Sequence, residues 1–488
     1  MAGALSGRTA TGVFWMMLGS GGQTVFQFVL FIVLARQLGP STFGLIGIAA
    51  VFIDLSSIVG RAGLTEVLVQ RPTMDDDDAS TAFWSSLAIG LLFTLVLFAA
   101  AGPLARSFDE PLLQPVMQWL APISALFAIG AVYEATLRRN FGFKALAARN
   151  VTATMASGIV ALVLALTGFG VWSLVIQRLI YVVWLLVAMV YSTRWLPRLT
   201  WKRDAGVAQL RDGSVIALSS VLGSGNQRII DLIVGYALGA TALGYLRIAW
   251  RALDLLQELS IRQITSVTLT SLSRLQENRE ALIAGYLKLV KTTALFAYPM
   301  FLGAAVVAPE IITFMFGKQW QLSILPMQVL TLTAIFIPPL FFKSNILMAA
   351  GQMRLVLAVN VFEFVASTIV AYLFARYGLV AAAAGNVARL ALVSPVIFVI
   401  LKRRIGVPVG ETIAGVLPPL LASGVMVGAL TLLKPQLPDL PSLVTIAIMG
   451  SVGLLIYLGA LVVVQRDQVM EIFAVVQRLV GRRREPAG

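Results

Sequence analysis

The chain has 488 residues, of which 58% are hydrophobic and 12% charged, and its mean hydropathy is +0.88. A soluble domain carries about 25% charged residues, so this composition belongs to a membrane protein. Cysteine and histidine are both absent, which excludes disulfides and thiol chemistry and removes the commonest general base and metal ligand.

A bilayer-spanning helix needs about 20 apolar residues. In chain order such runs are predicted at 12–35, 41–69, 79–101, 115–137, 147–168, 171–193, 213–237, 241–271, 282–307, 323–348, 355–375, 379–401, 411–433 and 442–464. The first is too long for a cleaved signal and lacks a small-residue cleavage pattern, so it reads as a span. The fold class is therefore all-α and polytopic, with about 14 transmembrane helices. If the N-terminus is cytoplasmic, 25 of the 37 Lys and Arg fall in cytoplasmic segments, 5 in the opposite loops and 7 within spans. That asymmetry is the positive-inside pattern with both ends cytoplasmic. The +14 net charge is thus topology, and no nucleic acid partner is expected.

An internal repeat organises the chain. "LGPSTFG" at 38–44 returns as "LGATALG" at 238–244, and Ile48, Ala49, Asp54 and Leu55 return as Ile248, Ala249, Asp254 and Leu255. "LGSGGQ" at 18–23 faces "LGSGNQ" at 222–227, and these glycines predict matched helix breaks. A repeat of six helices, an even number, makes the two copies parallel. The expected organisation is two pseudo-symmetric six-helix bundles at 1–195 and 213–404, joined by a cytoplasmic linker at 196–212. Two further helices follow at 405–465, and then a basic amphipathic tail at 466–488.

"LRIAWRALDLLQELSIR" at 246–262 places Arg247, Arg251, Asp254, Glu258 and Arg262 within about 80° of one helix face. A surface-lying helix would explain such a stripe, but every later loop would then change sides and the charge asymmetry downstream would invert. The stripe is therefore placed in a span, where it runs about 22 Å. Seven arginines are expected within spans: Arg61, Arg178, Arg228, Arg247, Arg251, Arg262 and Arg389. The acids at depth are Asp54, Asp231, Asp254, Glu258 and Glu363, with Glu66 and Glu134 nearer cytoplasmic ends. Each unpaired charge at mid-bilayer costs about 2.5–3.5 kcal/mol on insertion scales, so a wet cavity or mutual pairing is implied.

Spacing suggests pairs along single helices: Arg251 with Asp254, Glu258 with Arg262, Arg228 with Asp231, and a shared face for Asp54 and Arg61. Guanidinium keeps its charge and grips phosphate through paired donors, so the arginines are candidates for an anionic cargo. The acids either hold arginines or bind a coupling ion, proton or sodium; spacing leaves both open. The run Asp75–Asp78 reads as a solvated acidic turn, and no metal site or cofactor is expected.

"LARQLGPSTFGLIGIAAVFIDLSSIVGRAGLTEVLVQRP" at 34–72 resembles the opening helix pair of Wzx-type polysaccharide flippases in the multidrug/oligosaccharidyl-lipid/polysaccharide exporter superfamily. So do "DLIVGYALGATALGYLRIAWRA" at 231–252, "PEIITFMFGKQW" at 309–320 and "MAAGQMR" at 348–354, nearest the colanic-acid/teichuronic-acid exporter branch. The resemblance implies two bundles around a cationic cavity and alternating access. It also implies undecaprenyl-diphosphate-linked oligosaccharide as cargo, a bacterial inner-membrane location, and contact with a polysaccharide polymerase and chain-length regulator. Rival readings are a lipid II flippase, a cation or drug antiporter of the same superfamily, and a membrane glycosyltransferase or polymerase. The last lacks a sizeable external loop with catalytic acids.

The absence of native cysteine makes the topology directly measurable. A single cysteine replacing Arg376 is expected to react with a membrane-impermeant maleimide on intact cells. One replacing Lys402 should react only after the membrane is opened, and the reverse pattern would invert the topology.

Overall fold

The computed structural model describes residues 22–61, 63–71, 74–140, 142–260 and 278–464, and every element among them is helical. The chain divides into two compact units, residues 1–247 and 248–488, each treated separately below.

The first unit opens with α1 (residues 22–37) and α2 (Pro40–Gly60). It continues through α3 (Leu64–Gln70), α4 (Asp76–Ser107), α5 (Leu113–Leu120), α6 (Ile123–Arg139), α7 (Phe143–Leu166) and α8 (Val171–Thr193). It ends within α9 (Arg203–Ser260), which carries one non-helical residue, Gly239, at φ 82° and ψ 170°. Positive φ is strained for side chains, so glycine is the residue that can break the helix there. The break is a reversal. Arg247 and Asp231 lie 16 residues apart, about 24 Å along a straight helix, yet their charged groups approach to 3.7 Å. α9 is therefore two antiparallel limbs turning at Gly239, where the sequence places the join of its seventh and eighth spans.

The same logic applies 200 residues earlier. Phe31 on α1 and Phe43 on α2 stack edge-to-face at 5.4 Å, so the chain also reverses at Leu38-Gly39. The two repeat copies thus form matched helical hairpins, and they interlock reciprocally. A Cβ on Gly44 would sit 1.6 Å from the Ala240 carbonyl oxygen, and one on Gly244 would sit 2.0 Å from that of Pro40. Pro40 and Ala240 are repeat partners, as are Gly44 and Gly244. Contacts that exchange in this way are what a two-fold relation between copies produces. The other glycine expectation fails: Gly223, Ser224 and Gly225 run through as continuous helix, and Gly19–Gly21 lie outside the described residues.

Asp75 and Asp76 are exposed, Asp77 and Asp78 half-buried, and none is idle. Asp75 caps α4, accepting from the Asp78 backbone N–H at 2.6 Å, which holds its carboxyl below the usual carboxylate range. Arg198 meets Asp76 at 2.9 Å, Lys202 meets Asp77 at 3.1 Å, and Arg71 meets Asp78 at 3.7 Å. Trp84 donates to the Arg198 carbonyl and Trp201 to Ser85 Oγ. The acidic turn straps the 194–202 connection onto the start of α4, and no cluster of three metal-ligating residues exists among the described residues.

The second unit contains α10 (Arg279–Val306), α11 (Ala308–Phe316), α12 (Ile324–Thr331), α13 (Ile337–Phe341), α14 (Lys343–Ala349), α15 (Met353–Ala375) and α16 (Leu379–Ile405). The two terminal helices, α17 (Val409–Leu433) and α18 (Ser442–Val464), follow. Met426, Leu430, Met449 and Tyr457 form an apolar core with Val306 at the end of α10. Residues Lys318–Ile335 and Ile337–Ala349 make a broken pair bent by 66°. Pro338 and Pro339 lack backbone N–H groups, so the carbonyls four residues earlier, at Ala334 and Ile335, lose their helical donors, and the Pro339 carbonyl falls at the break after α13. Tyrosines of α10 supply donors here: Tyr298 Oη donates to the Ile335 carbonyl at 3.2 Å and Tyr286 Oη to that of Pro339 at 2.6 Å.

Among the described residues, eleven helices are long and apolar enough to cross a membrane, or twelve with the bent pair counted as one. The expected fourteen are not reached. The first is described only from residue 22, and the seventh and eighth share one helix, α9.

Tyr286→Phe would strand the Pro339 carbonyl, so it is expected to cost about 1–3 kcal/mol. A thermal midpoint in detergent equal to wild type would show that the carbonyl finds another donor.

Candidate functional site

Three interlocked elements of the first unit bring five charged side chains together. Asp54 comes from α2, Arg178 from α8, Arg228 and Asp231 from the first limb of α9, and Arg247 from its second limb. The two carboxylate oxygens of Asp54 are divided between two cations: Oδ1 is bound by Arg178, and Oδ2 lies 2.8 Å from Arg228. Asp231 is 4% exposed and faces Arg247 at 3.7 Å. The count is three cations to two anions. The surplus is visible at Arg247, whose Nη1 is buried with no hydrogen-bond partner. Room for this side chain comes from Gly47, where a Cβ would lie 2.6 Å from Nη1 and 2.8 Å from Cδ.

The pairing differs from the one that helix spacing suggested. Arg228 engages Asp54 across helices rather than Asp231 along its own. Arg61 does not join Asp54; its guanidinium lies over the Phe127 ring at 4.4 Å. It lines a cavity of about 270 Å³ with Glu134, Arg149, Asn150 and Tyr181, also in the first unit. Glu134 there meets Arg138 with one oxygen and Arg149, at 3.3 Å, with the other.

In the second unit Glu363 (8% exposed) faces Lys343 at 2.9 Å, and Arg389 (9% exposed) bonds Asn386 Oδ1 at 3.1 Å. Arg251, Asp254 and Glu258 continue the second limb of α9, with Asp254 exposed, and Arg262 lies outside the described residues. The sequence counts Arg149 and Lys343 with the cytoplasmic cations and names neither as a site residue. Both sit in helices and carry ion pairs. The signal for Arg149 was Glu134, an acid close by in the sequence; nothing local marked Lys343.

The site is thus a set of arginines held by acids within a many-helix membrane bundle. Solved structures share this fold. The lipid II flippase MurJ, in an inward closed conformation, matches with a TM-score of 0.74 at 14% identity, covering 93% of this chain and 100% of that one. An inward-facing multidrug resistance MATE family transporter matches at 0.63 and 18% identity, covering 79% and 94% respectively. At these identities the likeness concerns the fold.

The chain belongs to the family described as polysaccharide biosynthesis protein, whose profile matches residues 33–325. It is 25% identical over 346 residues to the succinoglycan biosynthesis transport protein ExoT of Rhizobium meliloti (strain 1021), covering 69% of this chain and 70% of that one. It is 22% identical to the lipopolysaccharide biosynthesis protein WzxC of Escherichia coli (strain K12), over 74% of each chain. To the teichuronic acid biosynthesis protein TuaB of Bacillus subtilis (strain 168) it is 23% identical, over 72% and 73%. It is a multi-pass membrane transporter of the Wzx type, not an enzyme.

If Gly47 exists to seat Arg247, the two residues are energetically coupled. The penalty of Gly47→Val is expected to shrink by about 0.5–3 kcal/mol in an Arg247→Ala background. Equal penalties in both backgrounds, read by denaturation, would uncouple them.

Proposed function

We propose that this chain is a flippase carrying undecaprenyl-diphosphate-linked oligosaccharide repeat units from the cytoplasmic to the periplasmic leaflet of the bacterial inner membrane. It works by alternating access between the halves 1–195 and 213–404, for exopolysaccharide, capsule or O-antigen export, beside a polymerase and chain-length regulator. The observation that carries this reading is the half-buried set Arg178, Arg228 and Arg247 against two aspartates, with Arg247 Nη1 making no hydrogen bond and meeting Asp231 only at 3.7 Å. A diphosphate offers acceptor oxygens for such donors, and a guanidinium binds them through parallel hydrogen bonds.

Asp54 and Asp231 are assigned the task of aiming guanidiniums, because both already face them. Glu363, beside Lys343, is likewise a holder of charge. Arg251 and Arg262, on the charged stripe read from the sequence, are proposed as further cargo contacts, with Asp254 and Glu258 as candidates for a coupling proton or sodium ion. Arg61 and Arg389 stand in other clusters and are set apart from the grip. The names of the relatives, which speak of succinoglycan, lipopolysaccharide and teichuronic acid, support a glycan cargo. The likeness to a lipid II flippase supports a polyprenyl-diphosphate carrier.

The test is leaflet exposure of a polyprenyl-diphosphate oligosaccharide in proteoliposomes. Wild type is expected to accelerate it, and Arg178→Gln or Arg247→Gln to slow it tenfold or more while retaining helical content and elution volume. Undiminished movement in both variants would reject the grip. Movement of lipid II in preference to the oligosaccharide would replace the cargo.

A further inference from the structure

The cavity that holds Arg61 has a charge balance that its own walls do not close. It is framed by the end of α2 and by α6, α7 and α8. Glu134 is its only acid, and its two oxygens pair with Arg138 and Arg149. Among the described residues no carboxylate comes within ion-pair distance of Arg61, so one acid stands against three cations. The Arg61 guanidinium stacks on Phe127, and among the described residues it has neither an ion pair nor a hydrogen bond. The Arg149 side chain is 9% exposed, and its Nε is buried with no hydrogen-bond partner. The remaining polar lining, Asn150 and Tyr181, can donate as well.

A donor-rich, net cationic pocket inside a membrane helix bundle asks for an anion with many acceptor oxygens. Size narrows the class. Pockets for drug-sized ligands run about 300–1,000 Å³, and this one is about 270 Å³. At ~30 Å³ per water it has room for a phosphate group with waters and too little to enclose an oligosaccharide. Position narrows it further. Glu134 lies one turn from the Arg138-Arg139 end of α6, Arg149 in the second turn of α7, and Met189 one turn from the end of α8. These are the ends rich in Lys and Arg, where the headgroups of one leaflet and the adjoining water both supply phosphate.

We propose that the cavity bounded by Arg61, Phe127, Glu134, Arg149 and Tyr181 is a binding site for a single phosphate oxyanion, separate from the transport grip. Arg61 supplies the free fork of donors, Phe127 keeps that fork planar against the cavity wall, and Glu134 fixes Arg149 so that its remaining N–H faces inward. The site does not depend on the cargo proposed above, and its test reads binding rather than transport.

Two probes separate the sources of phosphate. Radiolabelled inorganic phosphate in equilibrium dialysis with the delipidated, full-length protein reads a free oxyanion. Spin-labelled phosphatidylglycerol in phosphatidylcholine nanodiscs reads a lipid headgroup. Saturable binding of either probe by wild type is expected, weakened tenfold or more by Arg61→Gln and less by Arg61→Lys, which keeps the charge and loses the fork. Arg61 has no ion pair to break, so the variant should fold. Arg376→Gln, at an exposed arginine outside both clusters, should retain the probe. Failure of both probes to bind, wild-type binding by Arg61→Gln, or equal loss in Arg376→Gln would each overturn the assignment.

Discussion

The first unit depends on two glycines 200 residues apart. Gly44 and Gly244 let helix backbones touch where any side chain would collide with a carbonyl. Because each glycine faces the repeat partner of the residue faced by the other, the contact is made twice by one geometry. Close approach through small residues is how helices associate in lipid, where no hydrophobic force draws apolar surfaces together. The crossing also fixes what lies further down the same helices. Asp54 is ten residues beyond Gly44, and Arg247 is three beyond Gly244, so the approach of the backbones sets the approach of the charges.

Charge in a low-dielectric medium is the second constraint, and the protein meets it the same way in three places. Carboxylates in the interior are met by cations: Asp54 by Arg178 and Arg228, Glu134 by Arg138 and Arg149, Glu363 by Lys343 with Arg389 nearby. Buried ion pairs contribute little net stability once desolvation is counted, so their retention is better explained by what they hold in place. Acids that serve two cations leave the cations in excess, and excess cation is what a bilayer interior tolerates least. An anionic ligand at Arg247, and a second at Arg61, would relieve it.

Much of this was legible in the sequence. Helical class follows from apolar run length, and the hairpins follow from the LGPSTFG and LGATALG repeats, whose reversals sit at the shared Leu-Gly. The charged residues named from the sequence include every member of the Asp54 cluster. Their partners were not legible, because spacing along one helix reports only neighbours three or four residues away. Arg228 and Asp231 satisfy that spacing, yet Arg228 turns to a residue 174 positions earlier. Arg149 and Lys343 were hidden by being near helix ends, where a basic residue ordinarily marks the edge of the membrane. The glycines at 223–225 misled for a related reason: small residues pack helices as readily as they break them, and within α9 it is Gly239 that takes a backbone angle forcing a turn.

The strap at Asp75–Asp78 obeys different physics from everything buried. Its ion pairs to Arg198 and Lys202 are solvent-exposed, so each contributes at most about 1 kcal/mol. At physiological ionic strength the screening length is about 8 Å, and it shortens to about 3 Å in molar salt. The indole hydrogen bonds of Trp84 and Trp201 do not depend on that length. Rising salt therefore loosens the charged half of the strap and leaves the aromatic half in place. The connection between α8 and α9 is held by two fastenings, of which one senses the electrolyte around it.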